Sequence, residues 1–156
     1  MLKELRDLLG DQKFFEPDKN FIDWLVKYAN GRMIVDVGSG NGHVTRAVND
    51  QGGKAIGVDP FMTDKCLYSQ GTSFMPLDIR ETPFNKIDGN KVLYLLARPC
   101  HGGLTEITMQ YAQKNSEVLY LGLNKNVNID FMITKKYTKI NAPETKGYEV
   151  ALSVKK

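Results

Sequence analysis

The chain has 156 residues, of which 42% are hydrophobic and 25% are charged, and 21 basic side chains against 18 acidic ones give a net charge of +3. This composition predicts one globular domain with a substantial core. No apolar run approaches the roughly 18 residues of a membrane span, and the charged, amphipathic start is unlike a secretory signal. The two cysteines, Cys66 and Cys100, lack metal-type spacing. They favour reduced thiols and a cytoplasmic protein over a disulfide framework.

The net charge is unevenly distributed along the chain. Between Lys125 and Lys156, seven lysines stand against three acidic residues, so this segment carries +4 and the remainder −1. One interpretation is electrostatic contact with nucleic acid or with a protein partner. The other is that the lysines keep exposed strand edges from pairing with other chains. Composition alone leaves both interpretations open.

The first elements form a lead-in to the rest of the domain. Apolar spacing predicts a short helix over 2–9, then an extended piece over 12–18 that includes Pro17. A second helix is predicted from Asp18 to Tyr28, because apolar residues recur there at helical spacing and Asn30-Gly31 supplies a stop.

A strand, a glycine-rich turn and a helix follow. Met33 to Val37 is an apolar run with one acid, and glycines then stand at positions 38, 40 and 42 ahead of a helical pattern. Such glycines permit positive φ and let a ligand approach the backbone. His43 stands where a dinucleotide fingerprint needs its third glycine, and the Gly-Lys-Ser/Thr ending of a P-loop is missing.

Two further predicted strands end in acids. One strand runs from Lys54 to Val58 and is followed by Asp59, and the next runs from Ser73 to Ile79 and carries Asp78 near its end. With Asp36 on the first strand, three carboxylates are predicted at the carboxyl edge of a parallel sheet, where ligands of open α/β sheets bind. Each would act as a hydrogen-bond acceptor, and none needs an unusual pKa for that role.

This pattern resembles the class I S-adenosylmethionine-dependent methyltransferases. The resemblance implies an α/β, Rossmann-like fold: a mostly parallel seven-stranded sheet with helices on both faces and a C-terminal antiparallel hairpin. It also implies S-adenosylmethionine as cofactor and S-adenosylhomocysteine as product. In the family, acids matching Asp59 and Asp78 accept hydrogen bonds from the ribose hydroxyls and the adenine amino group. The implied cofactor-binding residues are Phe15, Asp36, Gly38, Ser39, Gly40, Asn41, Gly42, Asp59, Pro60, Asp78 and Ile79.

The family places its chemistry after the fourth strand, here Lys91–Ala97. Arg98-Pro-Cys-His-Gly-Gly103 follows, without the Asn/Asp-Pro-Pro-aromatic tetrad of the amino-methyltransferases. Pro99-Cys100 resembles the Pro-Cys pair of the cytosine-C5 enzymes, but their glutamate on the next strand is missing. The candidate catalytic residues are therefore His101 as general base, Cys100 as nucleophile and Arg98 as neighbouring cation. The alternative is that this loop is only a connector.

The remaining elements complete the predicted topology. Residues 80–90 hold too few apolar side chains for a third crossover helix. The further predictions are a helix over 105–115, a strand over 118–123, an irregular stretch over 124–132 that has room for one helical turn, and strands over 133–141 and 147–154. In the last strand, polar and apolar residues alternate, which predicts one buried face.

Residues 1–156 are thus expected to form a single methyltransferase-like domain. Residues 1–30 would be the lead-in, 31–123 the cofactor-binding core and 124–156 the basic C-terminal hairpin. The predicted function is an S-adenosylmethionine-dependent methyltransferase of minimal size, with nucleic acid or its associated protein as candidate substrate. The alternative is a catalytically degenerate binding or regulatory protein that keeps the fold, and a third class is other nucleotide-binding α/β proteins.

Overall fold

A computed structural model of the chain describes residues 17–61, 73–99, 103–130 and 136–156. The helix predicted over 2–9, and Phe15, Cys66, Cys100 and His101, lie outside these residues. The strands are β1 (Met33–Val37), β2 (Ala55–Val58), β3 (Phe74–Met75), β4 (Val92–Ala97), β5 (Glu117–Gly122), β6 (Thr138–Lys139) and β7 (Val150–Lys155). The helices are α1 (Lys19–Ala29), α2 (His43–Asp50), α3 (Leu104–Tyr111) and α4 (Asn124–Asp130).

All seven strands belong to one sheet, in the order β3-β2-β1-β4-β5-β7-β6. The first five run parallel to one another, and β7 pairs antiparallel with both β5 and β6. Because the carboxyl ends of the parallel strands meet at one edge, the loops after β1, β2, β3 and β4 are neighbours there. The predicted fold class is confirmed.

The sheet separates two apolar layers. On one face, α1 and α2 pack against alternate residues of the central strands, including Ile34, Leu93 and Leu119. On the other face, α3 and the segment between β3 and β4 pack against residues of the opposite parity, such as Val35 and Tyr94. Strands β1, β4 and β5 are therefore buried on both faces, which explains their nearly continuous apolar sequences.

Helix α1 confirms the local signals that predicted it. Asp18 is its N-cap and accepts a hydrogen bond from the Phe21 amide at 2.9 Å. Asn30 ends the helix in the left-handed region, with φ of 52°. Capping of this kind satisfies amide and carbonyl groups that helix ends leave without intrahelical partners.

The third strand is shorter than predicted. Strand β3 consists of Phe74 and Met75, and Pro76 then removes a backbone donor that a longer ladder would need. Asp78 caps a 3-10 turn, Ile79–Glu81, instead of ending a strand. Two more 3-10 turns, Phe84–Lys86 and Gly89–Lys91, lead into β4, so the prediction that no full crossover helix forms here is confirmed.

The elements after β4 depart from the prediction in several places. Helix α3 ends at Tyr111. The side-chain amide of Gln113 then donates to the backbone carbonyls of Phe84 and Ile87, both at 2.9 Å. The stretch predicted as irregular contains helix α4, and its Val127 packs against the core. Packing here overrides the low helix propensity of an asparagine-rich segment.

The C-terminal hairpin is also shorter and more buried than predicted. Strand β6 has two exposed residues, and β7 begins at Val150. The prediction of one buried face on β7 is wrong, because Ala151, Leu152, Ser153 and Val154 are all buried. Leu152 and Val154 pack into one apolar layer and Ala151 packs into the other, so both faces of β7 are covered. In the part of the chain that the structure describes, no helix has the length and apolarity to cross a membrane.

Candidate functional site

A cavity of about 340 Å³ opens at the carboxyl edge of the sheet, between the ends of β1, β2 and β4 and the start of α3. It collects the described residues predicted for the site, apart from Gly42. These lining residues are Asp36, Gly38, Ser39, Gly40, Asn41, Asp59, Pro60, Asp78, Ile79 and Arg98. The three carboxylates predicted for the site, Asp36, Asp59 and Asp78, therefore lie around one crevice. Phe15, Cys100 and His101 fall outside the described residues, so their predicted roles stay predictions.

The glycine-rich turn joins β1 to α2 through left-handed backbone. Gly38, Gly40 and Gly42 have φ of 73°, 57° and 83°. A Cβ on Gly40 would meet nothing within 4 Å, whereas a Cβ on Gly42 would stand 2.2 Å from the Phe74 ring. Gly40 thus keeps the cavity side of the turn open, while Gly42 makes room for the core. Sequence spacing gave both glycines the same predicted role.

Asp59 connects the end of β2 to this turn. Its Oδ2 accepts a hydrogen bond from the Gly40 amide at 2.9 Å, and its Oδ1 accepts one from the Phe61 amide at 2.9 Å. The carboxylate therefore fixes the turn relative to the loop after β2. A carboxylate has about four acceptor positions, so these two contacts are compatible with further donors from a ligand.

Asp78 is held by its own local contacts. Its carboxylate accepts two hydrogen bonds from the Arg80 guanidinium, at 2.9 and 2.8 Å, and one from the Arg80 amide at 2.9 Å. The side-chain bond from Arg80, followed by the backbone bond, lowers the pKa of Asp78. Asp78 thus presents a charged acceptor at the cavity, in partnership with an exposed arginine.

Asp36 differs from the other two acids because its residue is only 2% exposed. The Thr45 hydroxyl donates to its Oδ2 at 2.9 Å. Burial, reinforced by the charge of Asp59, raises the pKa of Asp36 to about 7, although the bonds from Thr45 lower it. The sequence pattern predicted the same acceptor role for all three acids, which needs no unusual pKa, and it did not anticipate the burial of Asp36. Asp36 is poised to change its protonation state near neutral pH.

The hydroxyl of Ser39, between Gly38 and Gly40, is buried and lacks a hydrogen-bond partner among the described residues. Ser39 follows Gly38 in the turn and lines the cavity. Buried polar groups usually have partners, so an unpartnered hydroxyl at a cavity wall is a candidate ligand contact.

Arg98 lies on the opposite side of the cavity, directly after β4. Its backbone is left-handed, with φ of 54°, which is uncommon for a residue other than glycine. Its amide donates to the Leu121 carbonyl at 2.7 Å, and its Nη1 donates to the Gly147 carbonyl at 2.9 Å. Both ends of Arg98 are therefore anchored, to β5 and to the loop before β7.

Sequence reasoning missed the apolar part of the lining. Phe61 is 72% exposed and stands beside the cavity, immediately after Asp59-Pro60. Leu104 and Ile107 of α3 form another part of the wall. The position of Phe61 after a strand-end acid was an available signal. The α3 residues had no such signal, because their helical spacing predicts core packing equally well.

Comparisons with known proteins address the fold. No protein-family model matches the chain, and no curated protein matches it. Solved structures do match. A Burkholderia thailandensis 1,6-didemethyltoxoflavin-N1-methyltransferase, with bound 1,6-didemethyltoxoflavin and S-adenosylhomocysteine, has a TM-score of 0.57 at 12% identity. That match covers 97% of this chain and 80% of the other.

Two further structures agree with it. A Methanococcus maripaludis protein described as an S-adenosylmethionine-dependent methyltransferase has a TM-score of 0.58 at 12% identity, covering 99% of this chain and 90% of its own. An RNA methyltransferase from Salinibacter ruber, in complex with S-adenosylhomocysteine, has a TM-score of 0.54 at 14% identity, covering 89% and 92%. Together with the sheet order, these matches show that the chain has the fold of the class I S-adenosylmethionine-dependent methyltransferases.

Proposed function

We propose that the protein is an S-adenosylmethionine-dependent methyltransferase and that the cavity at the carboxyl edge of the sheet binds its cofactor. The observation that carries the proposal is the arrangement of Asp36, Asp59 and Asp78 around one cavity with the glycine-rich turn. The fold supports it, since solved structures of the same fold include methyltransferases with S-adenosylhomocysteine bound.

The lining fits this cofactor chemically. A nucleoside offers hydroxyl and amino donors, which Asp59 and Asp78 can accept, and a flat apolar ring that can pack against Ile79 and Phe61. The open space beside Gly40 admits a ligand close to the backbone, and the unpartnered Ser39 hydroxyl supplies a further polar contact. The cavity has the size and the mixture of apolar walls and few polar groups typical of a small-molecule site.

The roles of the individual residues follow from their positions. Asp59 would bind the ribose hydroxyls while it keeps the Gly40 amide in place, and Asp78 would accept from the adenine amino group. When bound, the cofactor supplies a methyl group on a positively charged sulfur that is already activated for displacement. The protein's contribution is then chiefly to orient the reacting partners, which can lower the barrier by several kcal/mol.

The structure constrains the methyl-accepting substrate and the general base less than it constrains the cofactor site. His101 stays the candidate base, and nucleic acid or a protein bound to the basic C-terminal segment stays the candidate acceptor. Lys136, Tyr137 and Lys139 are exposed around strand β6, as such a contact requires. The interpretation of these lysines as guards of an edge strand is equally compatible with that exposure. A cytoplasmic location likewise stays a prediction.

Calorimetric titration with S-adenosylhomocysteine tests the cofactor site, using two glycine variants as a matched pair. Gly40 and Gly31 both have left-handed backbone, and a Cβ on either would meet nothing within 4 Å. Alanine at each position should therefore cost a similar free energy of unfolding, about 1–2 kcal/mol. Only Gly40→Ala, which places a methyl group at the cavity, should weaken S-adenosylhomocysteine, by about tenfold or more.

The outcomes separate the candidate functions. Binding that Gly40→Ala weakens and Gly31→Ala leaves intact supports the site, and transfer of labelled methyl groups to RNA, DNA or protein extracts supports the enzyme. Binding without transfer to any of these extracts would favour the degenerate binding protein. Binding of ATP or NAD without S-adenosylhomocysteine would instead place the protein among other nucleotide-binding α/β proteins.

A further inference from the structure

We propose that Arg98 binds the carboxylate at the amino-acid end of the cofactor, so that the cavity recognises a zwitterion as well as a nucleoside. This inference rests on the proposed function, because it concerns the same cavity. It assigns to Arg98 a binding role in place of the catalytic role that the sequence suggested.

The charges of the cavity are separated by position. Asp36, Asp59 and Asp78 lie at the ends of β1, β2 and the β3 segment, whereas Arg98 follows β4. Among the described lining residues, Arg98 is the only lysine or arginine. A ligand that spans the cavity therefore meets acceptors at one end and Arg98 at the other. A guanidinium matches the planar geometry of a carboxylate.

The strand order determines which end of the ligand reaches Arg98. The strands lie in the order β3-β2-β1-β4, a width of about 14 Å at the usual spacing. With the adenine at Asp78 and the ribose at Asp59, the rest of the ligand passes the glycine-rich turn after β1 and arrives at β4. Asp36 pairs in register with Leu95, three residues before Arg98. The amino-acid end thus lies between an acid and a cation.

The backbone of Arg98 indicates that its position is maintained at a cost. A left-handed conformation costs a non-glycine residue roughly 1–2 kcal/mol, and such residues cluster at ligand sites. The bonds to the carbonyls of Leu121 and Gly147 hold Arg98 in this conformation. A guanidinium carries five N–H donors, so its bond to the Gly147 carbonyl does not by itself prevent contact with a ligand.

The chemistry of arginine also excludes the role that the family tetrad would give this position. In the amino-methyltransferases, an Asn or Asp with acceptor oxygens begins the tetrad. Arginine has donors and no acceptor, so Arg98 cannot accept a hydrogen bond from an amine. It can bind an anion, and the amino-acid end of the cofactor presents one.

A cycle of two ligands and several variants tests the inference by calorimetry. The ligands are S-adenosylhomocysteine and its decarboxylated analogue, which keeps the amino group and lacks the carboxylate. Arg98→Asn removes the guanidinium, and asparagine tolerates left-handed backbone better than most residues do. Arg98→Lys keeps the charge. Arg46→Asn, on the exposed face of α2 and outside the cavity lining, is the control for net charge.

Arg98→Asn should weaken S-adenosylhomocysteine by about 10- to 100-fold and change the affinity of the analogue by less than about twofold. Arg98→Lys should restore part of the difference between the ligands, and Arg46→Asn should not alter it. Equal losses for both ligands, or no loss for either, would overturn the role of Arg98 while leaving the cofactor site intact. If the wild-type protein binds neither ligand, the proposed function itself fails, and this inference fails with it.

Discussion

Two buried carboxylates, at opposite edges of the same sheet, are treated in opposite ways. Asp36 lies on β1 at the carboxyl edge and is 2% exposed, and Glu117 begins β5 at the amino edge and is 5% exposed. Burial penalises the charged form of any carboxylate unless bonds to the charge compensate for the lost water. The difference between the two acids lies in how far the protein supplies those bonds.

Glu117 is fully surrounded by donors. The Arg32 Nη1 donates to Oε1 at 2.7 Å, the Ser153 hydroxyl donates to Oε2 at 2.6 Å, and the Tyr28 hydroxyl donates to the same oxygen. Burial raises the pKa of Glu117, but bonds from Ser153, Tyr28 and Arg32 outweigh it and lower the pKa overall. Burial and the bond to Glu117 raise the pKa of Tyr28 to about 12.

These contacts, here called the Glu117 cluster, connect α1, the start of β1, β5 and β7. The Glu117 cluster therefore stabilises the amino edge of the sheet. At the carboxyl edge, Thr45 supplies the hydrogen bonds to Asp36 among the described residues, and burial leaves the pKa of this acid at about 7. The charge there is incompletely compensated. The amino edge therefore holds a buried acid whose charge is compensated, whereas the carboxyl edge holds one with a raised pKa, and perturbed pKa values of this kind are common at functional sites.

Disrupting the Glu117 cluster should cause the largest loss of stability. Arg32→Met removes the cation and leaves Glu117 buried without it, so the free energy of unfolding should fall by about 3 kcal/mol. Urea denaturation at neutral pH measures this. The double variant Arg32→Met with Glu117→Leu should recover much of the loss, since no buried charge then remains. If Arg32→Met lowers the free energy of unfolding by no more than the loss of a surface ion pair would, the Glu117 cluster does not stabilise the fold.

Asp36→Asn should change the free energy of unfolding by an amount that depends on pH. The native pKa of about 7 lies above the ordinary 3.8, so between these values the native state binds more protons than the unfolded state. The wild-type protein therefore loses stability from this group as the pH rises from about 4 to about 7, by up to about 1.4 kcal/mol per pH unit.

The asparagine variant lacks this contribution, so its stability relative to wild type should increase with pH across that range and level off above it. Chemical denaturation of both proteins at several pH values measures the difference. A difference that stays constant between pH 4 and 8 would show that Asp36 is compensated as completely as Glu117, and the contrast between the two edges would disappear.

Arg80→Gln should have the smallest effect on stability. The ion pair with Asp78 is exposed, with 62% of the Arg80 side chain accessible, and such pairs contribute little. The measurable change is electrostatic: the lowered pKa of Asp78 should rise towards its ordinary range when the bonds from the Arg80 side chain are lost, while the backbone amide still donates. Carboxyl titration of the wild-type protein and the variant by NMR detects this. An unchanged pKa of Asp78 would show that Arg80 does not control its charge.

The sequence by itself determined the features that depend on neighbours along the chain. The apolar run of β1, the positive-φ glycines after it and the end of α1 at Asn30-Gly31 are local, so their residue types predicted them correctly. The strand-end positions of Asp36 and Asp59 also followed from local alternation of strand, turn and helix. Their meeting at one edge followed from the rule that parallel strands end together.

The tertiary structure alone decided the features that depend on residues distant in sequence. Gly42 faces Phe74, β7 is covered on both sides by β5 and β6, and Glu117 receives its arginine from the start of β1. The raised pKa of Asp36 also depends on residues that are distant in sequence. Burial and electrostatic fields are sums over everything that packs around a group, and a linear pattern of residue types does not contain those distances.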